Sequence, residues 1–359
     1  MSENERRGRP ARKARGWFLE FRMIPVLLWS FTSVALGTAL AFRERGTFDP
    51  ALLLVALALA GLVQGWVTHA INEIYDWRSG TDRHGRPRAL SGGSKVRNLR
   101  LLEERDLWMI FWTATAGVAV LSAYVAWARA AWLVLLILVG YVLGVAYTLP
   151  PVATAYRPFV GEWLGGFPGV LLAGLGAYGI QALTLSGLAV AALSAHALVC
   201  TAMLVMHHYI DAPADALANP PKRTTAVALG LGGARAYATL LAFAAAAIYA
   251  LLAAFHTPAF GLGVAFTVPA IWAHARVRPW DLASVTRNEL RVIQLGVAAG
   301  LSVAVALAPV LWPLIPLAVL GYVAHLVVVA PPPELARAWR RGPPRTAEDA
   351  NSAGPLPDP

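Results

Sequence analysis

The sequence predicts an all-α integral membrane protein, a bundle of nine or ten transmembrane helices around a central cavity. Of its 359 residues, 57% are hydrophobic and only 14% are charged, and the mean hydropathy is +0.56. Soluble domains are about a quarter charged. In addition, several apolar stretches reach about 20 residues, the length that crosses a hydrocarbon core roughly 30 Å thick.

Ten apolar stretches are the candidate transmembrane helices. They lie near residues 20–42, 51–75, 107–127, 131–149, 159–181, 186–209, 234–255, 258–275, 290–308 and 312–330. The last two are the least distinct, because Pro309, Pro313 and Pro316 fit either one broken helix or a hairpin of two. The chain divides into a basic tail over 1–17, a helical domain over 18–310, a candidate extra transmembrane segment over 311–331 and a disordered tail over 332–359.

Basic residues predict the orientation. The N-terminal tail and segment 78–106 are rich in arginine, and two crossings separate them, so the positive-inside rule places both in the cytoplasm. The same counting places 148–158, 210–233 and 276–289 on that face, and the arginines after residue 336 favour ten crossings over nine. We expect a multi-pass protein of the cell membrane with cytoplasmic N-terminus and polar loops. The net charge of +10 does not indicate a nucleic-acid partner, because the arginines lie in loops and tails.

Two segments with carboxylates at regular spacing end the second and the sixth predicted helices. They read INEIYDWRSGTD (71–82) and MHHYIDAPADALANPPKR (206–223), and their amide and acidic side chains of interest are Asn72, Asp76, Asp82, Asp211 and Asp215. Carboxylates suit Mg²⁺, which proteins hold through one or two carboxylates plus substrate phosphates. Two such segments facing each other across a cavity would bind a diphosphate through Mg²⁺ and make it a good leaving group.

Each carboxylate also has a structural explanation. Asp211 could cap a following helix, because a proline suitable for a first turn comes two residues later, and Asp76 and Asp82 could be solvated at the membrane surface. Two matched segments on one face favour function, since ionisable residues within membranes usually serve it. His207 and His208 suggest zinc, but the sequence has no HExxH motif and no third nearby nitrogen or sulfur ligand.

The first acidic segment resembles the first aspartate-rich motif of the UbiA superfamily of intramembrane prenyltransferases. LSGGSKV (90–96), YTLPPVATAYRPFVGEW (147–163) and DAPAD followed by KRTTAVALG resemble further elements of that superfamily, in the same order, over roughly residues 20–310. The ten-residue step from Asn72 to Asp82 resembles the branch that prenylates 1,4-dihydroxy-2-naphthoate in menaquinone synthesis.

The resemblance implies a UbiA-like bundle with Mg²⁺ as cofactor, a polyprenyl diphosphate donor and an aromatic quinone precursor as acceptor, all meeting in the lipid bilayer. It implies that the metal ligands are Asn72, Asp76, Asp82, Asp211 and Asp215, the four aspartates also being catalytic. The substrate-binding residues it implies are Asn72, Arg83, Tyr147, Arg157, Lys222 and Arg223. Glu162 would bind metal, orient the acceptor or serve as a favourable charge at a helix N-terminus.

The chain departs from the family pattern at three places. Glu73 stands where an aspartate is usual, and Pro221 replaces a glycine. In the stretch before Asp211, His207 and His208 replace two asparagines, and Ile210 replaces an arginine, which removes a cation. These changes leave the acceptor open, and 4-hydroxybenzoate, haem, a chlorophyll-type ring or a lipid head group are alternatives. A transporter is disfavoured because the carboxylates end helices on one side rather than at mid-membrane. A non-catalytic membrane scaffold is supported only by the departures themselves.

Overall fold

The computed structural model describes residues 3–82 and 94–329, with side chains described between residues 11 and 328 of those ranges. These residues form α-helices without any β-strand. In chain order they are α1 (Glu3–Phe21), α2 (Met23–Val26), α3 (Thr32–Arg45), α4 (Pro50–Ala60), α5 (His69–Ser79), α6 (Glu104–Ala128), α7 (Leu133–Ala146), α8 (Phe167–Ala182), α9 (Gly187–His207), α10 (Ala212–Leu217), α11 (Thr225–Phe255), α12 (Gly261–Arg276), α13 (Leu282–Leu307) and α14 (Leu314–Val329).

Three described segments are π-helical; two of them join α-helices end to end, and the third extends α8 at its N-terminus. They are Leu27–Phe31 between α2 and α3, Gly61–Thr68 between α4 and α5, and Gly161–Gly166 before α8. Each joined pair therefore forms one long membrane-spanning unit with a wider turn inside it.

The described residues confirm an all-helical membrane fold with nine helical units long and apolar enough to cross a bilayer. The predicted span that is not among these nine is the fourth, 131–149, which corresponds to α7, whose 14 residues extend only about 21 Å at 1.5 Å per residue. The sequence had placed the doubt at the last two spans instead. Their prolines in fact separate two helices, because α13 ends at Leu307 and α14 begins at Leu314.

Capping residues explain several helix boundaries. Asp49 accepts hydrogen bonds from the backbone N–H groups of Ala51 and Leu52, and Asp281 caps α13 in the same way. Gly80 ends α5 with φ 90°, a conformation that glycine adopts without steric cost. These side chains and turns satisfy backbone groups that a helix terminus leaves unpaired.

Helices α3 and α9 lie at the centre of the bundle and pack closely against their neighbours. A Cβ added to Gly37 on α3 would overlap the carbonyl oxygen of Gly174 on α8, so the two backbones are in direct contact. Gly300 on α13 approaches the side chain of Thr32 just as closely. Small residues allow this backbone approach, which is how helices associate where water supplies no driving force between them.

The connections after α5, α7 and α10 gather at one end of the bundle. The backbone N–H of Asn219 donates to the carbonyl of Ser79 at 3.0 Å, and that of Phe159 donates to the hydroxyl of Thr225 at 2.7 Å. Asn72 on α5 also reaches Thr148, just beyond α7. This common end carries both acidic segments.

Candidate active site

An elongated cavity runs through the bundle and changes from polar to apolar along its length. Its polar end is lined by Asn72, Asp76, Thr81, Asp82, His207, His208, Asp211, Asp215 and Lys222, and its apolar wall includes Ala56, Leu59, Val63, Leu136, Ile137, Ala173, Ala177 and Ile180. Along the α4–α5 unit the lining extends from Ala56 to Asp76, about 30 Å of helix. The whole cavity is therefore about as long as a bilayer core is thick. Its polar end suits a charged head group, and its apolar part suits an apolar chain.

Asp76 is the centre of the hydrogen-bond network at the polar end. Its Oδ2 accepts from Lys222 Nζ at 2.6 Å and from Asn72 Nδ2 at 3.1 Å, and its Oδ1 accepts from the Tyr156 hydroxyl at 2.9 Å. The Asn72 amide also contacts Thr148 Oγ1 at 3.2 Å. Because the carboxylate is buried, these donors supply the compensation that a desolvated charge requires.

Asp82 folds back towards Asp76 through the turn after α5. Gly80 makes the turn, and the Asp82 N–H donates to the Asp76 carbonyl at 3.3 Å. The Asp82 side chain is buried, with its Oδ1 3.8 Å from Lys95 Nζ. Burial raises the pKa of Asp82 well above its usual range, and the nearby carboxylates of Glu73 and Asp76 raise it further. This excess of buried acidic groups favours an added cation.

The second acidic segment reaches the same polar end. Asp211 precedes α10, yet within the described residues its side chain makes no capping hydrogen bond, so helix capping does not account for it. Asp215 is buried one turn later, and its carbonyl accepts from the Lys222 N–H at 2.9 Å. With Asn219 bonded to Ser79, the two acidic loops are in direct contact.

Lys222 is the cation shared by the two acidic segments. Burial by itself lowers the pKa of its ammonium group, but the carboxylates of Asp76 and Asp215 outweigh burial and raise that pKa well above the usual range. The ammonium lies 5.6 Å from the centre of the Tyr156 ring. Burial and the charge of Asp76 raise the pKa of the Tyr156 hydroxyl. Tyr156 therefore remains a neutral hydrogen-bond donor.

Neighbouring residues in two loops face opposite ways. Tyr156 faces the site, whereas Arg157 is exposed and donates to the Pro151 carbonyl at 3.2 Å. Arg157 has extended backbone, in which successive side chains alternate in direction. Lys222 is likewise buried and Arg223 exposed. Arg157 and Arg223 both lie outside the described lining of the cavity, and their substrate contacts stay predictions.

The other predicted residues divide between the cavity and its surroundings. Tyr147 lines the cavity, beside Gly165 of the third π-helical segment. Glu162 is buried in that segment and lies outside the described lining. Arg83 falls outside the described residues.

Glu73, one of the departures from the family pattern, binds a neighbouring loop. Its Oε2 accepts from the backbone N–H of Ser94 at 3.0 Å and from the Ser94 hydroxyl at 2.9 Å. The next residue, Lys95, is buried with φ 61° and directs its ammonium towards Asp82. The longer glutamate thus fixes the backbone that presents a lysine to the acidic end of the cavity.

Three residues that contact the site were not predicted from the sequence. Tyr156 and Lys95 lie inside segments already singled out, but nothing in a sequence says which side chain of a loop faces inwards. The third is Glu289, a buried carboxylate on α13 whose Oε1 lies 2.7 Å from His207 Nδ1. An ionisable residue at the mouth of an apolar stretch was the available signal for it.

The acidic groups do not form a closed metal cage. Among the described residues, no three His, Cys, Asp or Glu side chains converge closely enough to hold a metal ion by themselves. Carboxylates from the two segments instead surround Lys222. A cation held here would need further oxygen ligands from a substrate.

Comparison with known proteins gives one family. The model of the UbiA prenyltransferase family matches residues 28–289. The fold is similar to a UbiA homolog from Archaeoglobus fulgidus bound to GPP and Mg²⁺ (16% identity, TM-score 0.59, 80% of this chain and 99% of that one). It is also similar to the apo UbiA homolog from Aeropyrum pernix K1 (17% identity, TM-score 0.58, coverage 77% and 97%). A digeranylgeranylglyceryl phosphate synthase shares the fold at 12% identity (TM-score 0.53, coverage 80% and 97%). No curated protein matches the sequence significantly.

Proposed function

This chain belongs to the UbiA prenyltransferase family, and on that premise we propose that it transfers a polyprenyl group from its diphosphate to an aromatic quinone precursor within the membrane. The observation that carries the proposal is the two-part cavity. Both acidic segments meet around Lys222 at one end, and the far part of the wall is mainly apolar. A diphosphate suits the first part and an isoprenoid chain suits the second.

The residues at the polar end fit Mg²⁺. Asp76, Asp82, Asp211 and Asp215 supply carboxylates and Asn72 an amide, the oxygen ligands that this ion prefers. The open arrangement is also suitable, because Mg²⁺ is commonly held by one or two carboxylates plus substrate phosphates. When bound, Mg²⁺ would neutralise charge on the departing diphosphate.

The protein's own groups complete the donor site. Lys222 and Tyr156 already donate to Asp76, and the same N–H and O–H groups can donate to phosphate oxygens. Lys95 adds a buried positive charge 3.8 Å from Asp82. Beyond them the apolar wall excludes water, which would otherwise capture an allylic carbocation before the acceptor does.

For the acceptor we propose 1,4-dihydroxy-2-naphthoate or a close analogue. Support comes from the ten-residue step between Asn72 and Asp82 and from the loop held by Glu73 and Ser94. We further propose that the protein lies in the cell membrane with its N-terminus and the acidic loops cytoplasmic, because basic residues concentrate at that end. Alternative acceptors are 4-hydroxybenzoate, haem, chlorophyll-type rings and lipid head groups.

The test uses protein purified in detergent, radiolabelled geranylgeranyl or longer polyprenyl diphosphates, and a panel of these acceptors, with and without Mg²⁺. We expect Mg²⁺-dependent prenylation of the naphthoate, lost in Asp76→Ala and in Asp211→Ala. Glu104→Gln is the matched control, since it removes a half-buried carboxylate of α6 that pairs with Arg78 outside the described cavity lining and should keep full activity.

Two results would contradict the proposal. Activity that survives both aspartate substitutions would show that the acidic end does not hold the donor. Folded protein that neither binds nor consumes any donor would refute the transferase activity, whereas transfer to a different acceptor would refute only the naphthoate assignment.

A further inference from the structure

A second polar cluster lines the cavity beside the donor site. It consists of His207, the last residue of α9, Glu289 of α13 and Arg22, which lies between α1 and α2. His207 Nδ1 lies 2.7 Å from Glu289 Oε1, and an Arg22 guanidinium nitrogen lies 3.4 Å from His207 Nε2. Arg22 and His207 both line the cavity, while Glu289 is buried behind the imidazole.

These contacts define which ring nitrogen carries the proton. An ionised carboxylate only accepts hydrogen bonds and a guanidinium only donates them. His207 therefore donates from Nδ1–H to Glu289 and presents the lone pair of Nε2 to Arg22. A carboxylate that fixes the tautomer and orientation of an imidazole is the arrangement that prepares histidine to act as a base.

The described hydrogen bonds of Asp76 go to Asn72, Tyr156 and Lys222 and do not involve this cluster. The contact between Arg22 and His207 Nε2 is 3.4 Å, longer than an ordinary hydrogen bond, so an acceptor hydroxyl can take the place of the guanidinium at this lone pair. His207 ends α9, and a short turn separates it from Asp211, which also lines the cavity. A group bound at Nε2 would therefore lie close to the diphosphate end of the donor, where the reacting carbon is.

From this geometry, and resting on the proposed function, we infer that His207, oriented by Glu289, is the base that accepts the hydroxyl proton of a hydroxylated aromatic acceptor. Arg22, which already contacts Nε2, stabilises the oxygen as its negative charge develops. The cluster thus assigns the acceptor to phenols and naphthols whose hydroxyl faces the polar end of the cavity.

The reaction balances with these groups. The donor C–O bond breaks and its electron pair leaves with diphosphate, while a π-electron pair of the acceptor forms the new C–C bond. The hydroxyl proton passes to Nε2, which leaves a neutral dienone. The ring proton at the new bond then passes to the released diphosphate, and the oxygen takes its proton back from His207 as the ring becomes aromatic again.

The experiment compares wild-type protein with His207→Asn, which restores the amide usual in the family, and with Glu289→Gln. Mg²⁺-dependent donor binding is measured by calorimetry, and transfer in single turnovers is measured with naphthols of increasing hydroxyl acidity. Added imidazole tests whether a free base can replace the missing side chain.

General-base catalysis contributes about 10²–10⁴-fold. We expect the donor affinity of His207→Asn to stay within about twofold of wild type and its single-turnover transfer rate to fall by at least about 100-fold. The loss should shrink as the acceptor becomes more acidic, and added imidazole should restore part of it. Glu289→Gln should lose about tenfold, as expected for the loss of one orienting hydrogen bond.

The possible results separate this inference from the function on which it depends. If wild type transfers the prenyl group and His207→Asn does so at the same rate, the role of His207 as a base is refuted and the proposed transferase activity is not. A loss equal for all naphthols and insensitive to imidazole would assign His207 a structural role and also refute the base. Loss of donor binding in His207→Asn would place the residue in the donor site instead. A wild-type protein that prenylates none of the acceptors would overturn both proposals.

Discussion

Replacing Lys222 by methionine removes the cation that joins the two acidic segments. The ammonium lies 2.6 Å from Asp76 Oδ2, and both side chains are buried. At an effective dielectric constant of about 20, two unit charges at this distance attract each other by about 6 kcal/mol. Desolvation offsets part of that attraction, and breaking a buried pair by removing one partner costs about 3–5 kcal/mol. In the absence of divalent cations we expect Lys222→Met to lower the free energy of unfolding by about 3–5 kcal/mol.

The assay is reversible unfolding in mixed micelles with increasing SDS. Arg223→Met is the matched control, because this neighbouring arginine is exposed and its loss should change stability by less than about 0.5 kcal/mol. The double variant Lys222→Met/Asp76→Asn should recover much of the loss, since the buried charge is then gone, while the amide oxygen introduced at position 76 can still accept from Tyr156. Mg²⁺ should stabilise Lys222→Met more than wild type. Two results would refute the shared-cation interpretation. One is a free energy of unfolding of Lys222→Met within about 1 kcal/mol of wild type, and the other is strict additivity of the two substitutions in the double variant.

Three further expectations follow from the packing, the hydrogen bonds and the charges. Gly37→Ala places a methyl group in overlap with the Gly174 carbonyl and should destabilise the protein by about 1–3 kcal/mol or more, as measured by thermal unfolding. In the control Gly176→Ala the added methyl meets no described atom within 4 Å, so stability should not change. Tyr156→Phe removes a charge-assisted bond of about 1.5–3 kcal/mol, so kcat/KM for the donor should fall about 10- to 100-fold; an unchanged value would contradict its role. Because burial raises the pKa of Asp82, protons compete with Mg²⁺ for this carboxylate at pH values above the usual carboxylate range. The Mg²⁺ affinity measured by calorimetry should therefore rise with pH less steeply in Asp82→Asn than in wild type.

The fold was predictable because its determinants are local and repeated. Each apolar stretch by itself predicts a helix, and the ten predicted spans correspond to the described helical units. The step from Asn72 to Asp76 also predicts one helix face, and Gly80 predicts the turn that returns Asp82. Helix periodicity carries this information directly, since residues four apart lie above one another.

Loops carry no such periodicity, and there the sequence was less informative. Tyr156 and Arg157 stand side by side in one motif, and the extended backbone at Arg157 sends its side chain away from the site. The partnership of Glu289 with His207 joins positions 82 residues apart, which one sequence cannot reveal. The predicted span 131–149 also runs three residues beyond the end of α7 at Ala146, because hydropathy does not show at which residue a helix ends.

The π-helical segments explain how one bundle holds a cavity of this length. Residues 27–31, 61–68 and 161–166 all contribute to its lining, and the Ser30 hydroxyl of the first donates to Gln64 Oε1 of the second. An ordinary α-helical turn packs side chains against its neighbour, whereas a π-helical turn inserts an extra residue and redirects them. Three such turns therefore form part of the wall of one cavity from within the transmembrane helices, while the loops supply charge at its polar end.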